Sequence, residues 1–294
     1  MTDRANGVAE ARMLPVGTKA AIRVPASSAN LGPGFDTLGL ALGMWDDVSC
    51  EVIDSGLVID VEGEGSGEVP LNEKHLVYRA FRAAMEANGY DVPGLHLVCH
   101  NRVPESRGLG SSAAAAVGGV ALADALCDRP FDLTRMVQIS SEFEGHPDNS
   151  SAAVLGGMVV SWADEPGFAN TSYHAVRLDV HPDIRATALV PYSRSSTEET
   201  RAVLPATVPH RDAVFNVSRA SMMMLAMTKR PDLLFDASED RLHQQQRAAA
   251  LPVTTRWIRC LRDRGLAAMV SGAGPTVSVS YTHLRAHETV LDIV

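Results

Sequence analysis

A glycine-containing segment at residues 104–114 constrains the fold of this chain more than any other stretch. It reads Pro-Glu-Ser-Arg-Gly-Leu-Gly-Ser-Ser-Ala-Ala, between an apolar stretch typical of a strand and a helical pattern that begins at Ser111. Such a loop brings backbone N–H groups to the start of a helix, whose partial positive charge favours a phosphate. The segment, called the glycine loop below, therefore predicts a phosphate site in a mixed α and β fold.

Three other interpretations of the glycine loop can be compared with the residues present. A Walker A loop requires Gly-Lys followed by Ser or Thr, and the dipeptide Gly-Lys does not occur in the chain. The loop also satisfies the loose dinucleotide pattern G-x-G-x-x-G/A, but that fold needs a strand after the helix, whereas residues 131–133 open a second helical pattern. A tight turn with a serine cap before a small-residue core helix is the structural alternative.

Composition is that of a globular protein and argues against several partners. The 294 residues are 46% hydrophobic and 21% charged, and the formal net charge of −9 opposes binding to the phosphate backbone of nucleic acid. The longest apolar run, residues 113–123, is shorter than the about 20 residues that span a bilayer. Four scattered cysteines without metal-type spacing fit a reduced protein. We expect a cytoplasmic protein with neither nucleic acid nor membrane as a partner, and a homodimer is left open.

Apolar alternation and turn signals predict an α+β chain with two domains. The stretches typical of strands are residues 20–24, 47–54, 57–61, 95–99, 156–162, 172–178, 185–190, 267–270 and 276–280. We expect an antiparallel sheet to begin with residues 47–54 and 57–61. The stretches typical of helices are residues 75–87, 111–126, 132–143, 198–203, 212–228 and 254–264. The expected division is a flexible tail over 1–18, a first domain over 19–179, a second domain over 180–279 and a tail over 280–294.

Two further segments share the small-residue composition of the glycine loop. The first loop, residues 25–36, reads Pro-Ala-Ser-Ser-Ala-Asn-Leu-Gly-Pro-Gly-Phe-Asp, and the C-terminal loop, residues 271–276, reads Ser-Gly-Ala-Gly-Pro-Thr. In order and separation, the three loops resemble the three motifs of the GHMP kinases. The first loop and the Glu-Gly-His-Pro-Asp-Asn stretch at residues 144–149 resemble the branch that phosphorylates L-homoserine. The resemblance covers about residues 20–279.

This resemblance implies both a fold and an activity. The fold is the two-domain GHMP kinase fold of the α+β class, with a ribosomal-S5-like N-terminal domain, a ferredoxin-like C-terminal domain and an active site in the cleft between them. The activity is transfer of the γ-phosphoryl group of ATP to the side-chain hydroxyl of L-homoserine, a step toward threonine, with Mg²⁺ as a cofactor. Another small-molecule kinase of the superfamily and a catalytically silent nucleotide-binding homologue are the alternatives.

The resemblance also implies roles for particular residues. The nucleotide cradle is the glycine loop, whose members are Pro104, Glu105, Ser106, Arg107, Gly108, Leu109, Gly110, Ser111, Ser112, Ala113 and Ala114. Ser112 and Glu144 match the Mg²⁺ ligands, and their oxygen atoms suit a hard cation. The residues that match substrate-binding positions are Asn30, Asp36, Asn149, Arg201 and Arg247. The residues that match positions at the reacting groups are Asn30, Glu144 and Thr197.

The two arginines are the predicted carboxylate ligands, because a planar guanidinium can bind a carboxylate through two hydrogen bonds. No residue stands out as a general base. Two stretches depart from the family pattern. Residues 244–246 read Gln-Gln-Gln immediately before Arg247, and residues 280–294 are unlike the family's terminus and resemble a read-through sequence.

Overall fold

The computed structural model describes residues 11–168 and 170–282, which form a six-stranded sheet, a three-stranded sheet and a two-stranded sheet, with helices packed against the two larger ones. The strands are β1 Arg12–Met13, β2 Lys19–Ala29, β3 Leu38–Ile53, β4 Gly56–Gly63, β5 Tyr90–Asp91, β6 Gly94–Asn101, β7 Met158–Ala163, β8 Tyr173–Leu178, β9 Arg185–Leu189, β10 Ala267–Val270 and β11 Val277–Tyr281. The helices are α1 Leu76–Ala87, α2 Ser111–Leu126, α3 Leu133–Glu144, α4 Asp148–Leu155, α5 Thr197–Ala202, α6 His210–Thr228, α7 Leu234–Ala237 and α8 Pro252–Arg262, with a 3₁₀ turn at Pro231–Leu233.

Strand β3 organises the larger sheet, which with α1–α4 is called the first lobe. This strand runs for 16 residues. It pairs antiparallel with β2 on one side, from Lys19 opposite Glu51 to Ala29 opposite Gly39, and with β6 and β7 on the other. Within this sheet β4 pairs parallel to β6, so the prediction of an antiparallel sheet is wrong for that one pair.

Strand β2 is longer than the predicted strand at residues 20–24. It continues to Ala29, and its register against β3 shifts between Pro25 and Ser27. The residues after this shift are small and buried, so they lack the alternation of apolar and polar side chains by which a strand is recognised. The chain leaves the sheet at Asn30, which adopts a positive φ of 70°.

Helix α2 is buried along most of its length, and its bounds are those predicted. Small residues let it pack closely against α1, because a Cβ at Gly119 would lie 2.2 Å from the carbonyl oxygen of Val77. The alanine and glycine run that a membrane segment would also contain therefore belongs to a tightly packed core. In the described ranges, the structure has no helix with the length and apolar character needed to cross a membrane.

The smaller sheet has the order β10-β11-β9, is antiparallel throughout and, with α5–α8, is called the second lobe. Helix α6 joins the two lobes, because Met223 and Met227 are buried in one apolar cluster with Leu38 and Met158 of the first lobe and Met269 of the second. The methionine run at residues 222–227 is thus core packing. The shared core fixes the position of one lobe against the other and so defines the cleft between them.

Three other features differ from the sequence prediction. Residues 11–18 fall within the predicted flexible tail, yet β1 pairs parallel with β5 and Leu14 is buried. Helix α4 was not predicted, because its Asp-Asn-Ser-Ser start has no apolar periodicity. Strand β11 extends to Tyr281, past the expected boundary at residue 279. Residues 1–10 of the predicted N-terminal tail and 283–294 of the predicted C-terminal tail lie outside the described residues.

Candidate active site

The three small-residue loops meet at the cleft and are held together by hydrogen bonds. The Oγ of Ser271, in the C-terminal loop, donates to the carbonyl oxygen of Gly108 at 2.6 Å and lies 2.9 Å from the Oγ of Ser28 in the first loop. The backbone N–H of Ser27 donates to the carbonyl oxygen of Leu109 at 3.0 Å. Three segments that are far apart in sequence therefore form one wall.

Gly108 and Gly110 are required by this contact between loops. Both have positive φ, 74° and 70°, a conformation that glycine adopts without strain. A Cβ at Gly108 would lie 2.3 Å from the carbonyl oxygen of Ser271, and one at Gly110 would lie 2.2 Å from the Oγ of Ser27. Neighbouring loops therefore occupy the space that a side chain at either position would need.

The start of helix α2 is open toward the cleft. Gly110 is its N-cap, no side chain caps it, and its first turn contains no acidic residue, so Ser111 does not serve as the cap that the sequence allowed. Ser111 and Ser112 line a cavity of about 230 Å³. The Oγ of Ser112 donates to the Oε1 of Glu144, the last residue of α3, at 2.5 Å. Unpaired N–H groups and a pair of oxygen atoms thus lie side by side.

Only part of the glycine loop faces the cavity. Its lining members are Ser106, Gly108, Gly110, Ser111 and Ser112. Leu109, Ala113 and Ala114 are instead buried in the core. Arg107 points to the second lobe, where it donates to the carbonyl oxygens of Tyr192 and Ser193. Pro104 and Glu105 do not line the cavity either, so the surface available to a nucleotide is narrower than the predicted segment.

The remaining predicted site residues line the same cavity, and they are Asn30, Asp36, Glu144, Asn149, Thr197, Arg201 and Arg247. Asn30 also shapes the first loop, since its Oδ1 accepts from the N–H of Asp36 at 3.0 Å and its Nδ2 donates to the carbonyl oxygen of Gly272 at 2.8 Å. Asn149 is tied to β2, because its Oδ1 accepts from the Oγ of Ser27 at 2.9 Å.

Helix α5 brings Thr197 and Arg201 to the cavity from the second lobe. Ser196 caps this helix by accepting from the N–H of Glu199 at 3.0 Å. The preceding residue, Ser195, donates its N–H to the carbonyl oxygen of Ser106 at 3.0 Å. The segment before α5 therefore touches the glycine loop directly, and residues of both lobes face one another across the cavity.

The two arginines differ in their partners. Arg201 forms two hydrogen bonds with the carboxylate of Asp36, at 3.0 and 2.5 Å. Arg247 is only 1% exposed and donates to the carbonyl oxygens of Thr200 and Gly272, and in the described ranges no carboxylate pairs with it. Burial, followed by the charge of Arg201, lowers the pKa of Arg247 to about 10. At neutral pH Arg247 is therefore a buried cation without a paired anion.

His146 and Asp148 also line the cavity, and the sequence assigned neither a role. The Nδ1 of His146 lies 2.7 Å from the Oδ1 of Asp148, which is buried. Burial opposes a charge on His146, but Asp148, together with Asp36 and Glu144, raises the pKa of His146 to about 9. His146 is therefore a cation at neutral pH. Ligand-type atoms of His146, Asp148 and Asp36 lie within 4.8 Å of one another.

The signal that could have revealed this pair was the stretch at residues 144–149, which the sequence interpretation treated as a unit. Helix α3 ends at Glu144, Gly145 reverses the chain with φ 77°, and α4 begins at Asp148. The two helix ends bring Glu144, His146 and Asp148 to the cavity.

Comparison with known proteins gives consistent matches. Residues 75–157 match the family model "GHMP kinases N terminal domain". The chain is 60% identical to the homoserine kinase of Rhodococcus erythropolis over 271 residues, covering 90% of this chain and 86% of that protein. It is 58% identical to the homoserine kinase of Corynebacterium efficiens, covering 92% and 88%.

Among solved structures, the crystal structure of homoserine kinase from Cytophaga hutchinsonii superposes with a TM-score of 0.82 at 24% identity, covering 94% of this chain and 88% of that one. This likeness extends across both lobes. The prediction of the GHMP kinase fold in the α+β class is confirmed.

Proposed function

This chain belongs to the homoserine kinase family, and we propose that its cleft transfers the γ-phosphoryl group of ATP to the side-chain hydroxyl of L-homoserine, giving O-phospho-L-homoserine and ADP. The observation that carries this proposal is the meeting of two unlike surfaces in one cavity. One surface is the open first turn of α2 beside Ser112 and Glu144. The other contains Arg247, a buried cation that pairs with no carboxylate within residues 11–168 and 170–282.

The nucleotide binds by its phosphates to the glycine loop. The N–H groups that begin α2 have no side-chain cap, and such groups, with the helix dipole, hold phosphate oxygens. Ser111 and Ser112 add hydroxyl donors beside them. The wall formed by the three loops keeps the backbone in place, so little rearrangement is needed when the phosphates arrive.

The side chains of Ser112 and Glu144 fit a Mg²⁺ site. The Ser112 hydroxyl and the Glu144 carboxylate converge to 2.5 Å at the cavity, and oxygen donors of these two kinds are those that Mg²⁺ binds together with phosphates and water. When bound, Mg²⁺ neutralises charge on the transferred phosphoryl group. Glu144 supplies the carboxylate for this site, and Ser112 orients it through their hydrogen bond.

The acceptor's charged groups bind on the other side of the cavity. Its carboxylate binds Arg247, with Arg201 as the second guanidinium in the cavity. Its ammonium binds the carboxylate of Asp36, which Arg201 already contacts, so the two cations share one anion. Asn30, Asn149 and Thr197 surround the remaining part of the cavity and position the hydroxyl toward the nucleotide.

The chemistry follows from this placement. Phosphoryl transfer needs little covalent participation by a protein, because alignment of the reactants and neutralisation of the developing charge supply most of the rate enhancement. The cavity aligns the hydroxyl of the acceptor with the phosphate that lies at the start of α2.

Three further parts of the proposal concern the surroundings of the enzyme. We place this ATP-consuming biosynthetic step, on the route to threonine, in the cytoplasm. Mg²⁺ is the accompanying ion. A homodimer stays a prediction that a mass measurement in solution would test.

A coupled assay of ADP release tests the function. Purified protein with Mg²⁺ and ATP should release ADP when L-homoserine is added, and only slowly when mevalonate, shikimate or a hexose replaces it. Folded protein that turns over none of these acceptors, yet binds ATP, would contradict the proposal and favour a silent nucleotide-binding homologue. Turnover of another acceptor in preference to homoserine would favour a different small-molecule kinase of the superfamily.

A further inference from the structure

The aromatic ring of Phe35 lies against both arginines of the cavity. The Cζ of Arg201 is 5.2 Å from the centroid of this ring and the Cζ of Arg247 is 5.5 Å from it. The ring of His243 packs against it as well, with centroids 5.1 Å apart, and the Nδ1 of His243 lies 3.1 Å from the Nη1 of Arg247. One side chain of the first lobe therefore touches both cations that the second lobe contributes.

Phe35 itself does not line the cavity, whereas both arginines do. It acts on a ligand only through the groups that it contacts. We propose that Phe35 is a positioning residue that sets the spacing and orientation of the Arg201 and Arg247 guanidinium groups for the acceptor's carboxylate. This inference rests on the proposed function, because it assigns a carboxylate to the arginines.

The physical reason lies in the charges that meet at the ring. Two guanidinium cations against one ring repel each other, and among the residues that the structure describes only Arg201 has a carboxylate partner. The face of an aromatic ring carries partial negative charge and attracts a cation without forming a hydrogen bond. Phe35 therefore stabilises both cations and leaves the N–H donors of Arg247 that are not used by Thr200, Gly272 and His243 free to receive a carboxylate.

The backbone next to Phe35 is also held in place. It stands between Gly34 and Asp36, and the N–H of Asp36 is held by Asn30 at 3.0 Å. Asp36, the residue after Phe35, thus pairs with Arg201, while the ring of Phe35 contacts both Arg201 and Arg247. A change at position 35 should alter the geometry of the cations without removing any charge from the cavity.

The test compares substrates with and without a carboxylate. Phe35→Leu keeps an apolar side chain but removes the ring, and Phe35→Tyr keeps the ring. The measured quantity is kcat/KM for L-homoserine divided by kcat/KM for L-homoserine amide, which keeps the ammonium but lacks the carboxylate, together with KM for ATP. The matched control is Phe215→Leu, because the ring of Phe215 also lies against two arginines, Arg219 and Arg241, but outside this cavity.

The proposal expects the carboxylate preference of Phe35→Leu to fall about tenfold, mainly through KM for homoserine, with KM for ATP nearly constant. Phe35→Tyr and Phe215→Leu should keep the preference of the unsubstituted enzyme. Equal losses with homoserine and its amide in Phe35→Leu would overturn the proposal, since they indicate a merely structural role. A loss of preference in Phe35→Tyr, with the ring retained, would overturn it too, and so tests it even if Phe35→Leu fails to fold.

The unsubstituted enzyme separates this proposal from the proposed function. If it turns over homoserine and the preference is insensitive to residue 35, only the role of Phe35 is wrong. If it does not turn over homoserine at all, the function and the role fall together.

Discussion

The two sides of the cavity are built from different kinds of chemical groups. The side formed by the glycine loop consists of backbone N–H groups, serines and glycines, with Glu144 as its one carboxylate and a hydroxyl as the partner of that carboxylate. The opposite side is rich in ionisable groups, namely Asp36, His146, Asp148, Arg201 and Arg247. Most of these are paired with each other before any ligand binds. The glycine-loop side is therefore built mainly from uncharged groups around one carboxylate, whereas the opposite, charged side combines paired ionisable groups with the cation of Arg247, which pairs with no carboxylate in the part of the chain that the structure describes.

This difference follows from what each ligand brings. A nucleotide carries several negative charges, so N–H dipoles at a helix start are sufficient to hold it and need not be neutralised when the site is empty. A small amino acid has one charge of each sign and must be recognised by side chains of opposite charge. Such side chains are costly to bury alone, and pairing Asp36 with Arg201 reduces that cost until a ligand arrives. Substitutions should therefore separate according to the side on which they fall.

The largest effect is expected for Glu144→Gln on the glycine-loop side. The substitution keeps the size of the side chain and removes the carboxylate that we assign to Mg²⁺, so kcat should fall roughly a thousandfold. The control is Glu142→Gln on the same helix, since Glu142 is exposed, accepts a hydrogen bond from Gln138 and does not line the cavity. Steady-state rates over a range of Mg²⁺ concentrations check this expectation. Unchanged turnover in Glu144→Gln would place the metal elsewhere and remove the asymmetry between the two sides.

Arg247→Ala should give the next largest effect, on the charged side. Loss of the buried cation should raise KM for homoserine about a hundredfold, which corresponds to roughly 2.7 kcal/mol, while KM for ATP changes little. Arg247→Lys should recover only part of the loss, because an ammonium keeps the charge but not the planar pair of donors. Arg241→Ala, at an exposed arginine nearby in the chain, is the control. Equal increases in both KM values would argue against a carboxylate site.

The sequence predicted the glycine-loop side of the cavity more completely than the charged side. Helix α2, the glycine loop before it and its open N-terminus follow from local signals, because adjacent residues build them. The charged side depends on pairs such as Asp36 and Arg201, which are 165 residues apart. Resemblance to a family named these residues, but no local pattern shows that they contact each other. The positive charge of His146 likewise depends on burial and on Asp148, which only the fold brings into place.

The parts of the fold that escaped prediction have similar causes. The end of β2 and the start of α4 consist of small or polar residues that are buried at the site. Their sequence lacks the periodicity of a surface strand or helix, because both faces are covered. Phe35 attracts no notice in the sequence for another reason. Its partners, Arg201, His243 and Arg247, come from the other lobe.

Gly110→Ala should have an intermediate effect on ATP binding. It tests whether the glycine-loop side depends on close packing between its loops. The new methyl group would displace Ser27 and Asn149, whose side-chain oxygens lie 2.2 and 2.9 Å from the Cβ position. We expect KM for ATP to rise about tenfold and the free energy of unfolding to fall by more than the roughly 1 kcal/mol that a positive φ alone costs alanine. Gly89→Ala isolates that backbone cost, because its φ is 74° and nothing lies within 4 Å. Equal stability losses in both variants would show that the loops can separate freely.

The smallest effect is expected where the two sides join, at the hydrogen bond between Ser27 and Asn149. Ser27 lies in the strand that supports the glycine loop, and Asn149 is one of the predicted acceptor ligands. This bond therefore connects the glycine-loop side of the cavity with the acceptor site. A double-mutant cycle with Ser27→Ala and Asn149→Ala, followed by urea unfolding, should give a coupling free energy of about 1 kcal/mol. Ser27→Ala alone should raise KM for homoserine only a few fold, because the amide of Asn149 remains present but is held less firmly. A coupling near zero would mean that this hydrogen bond does not connect the two sides, and the hydrogen bond from Ser195 to Ser106 would then be the next connection to test.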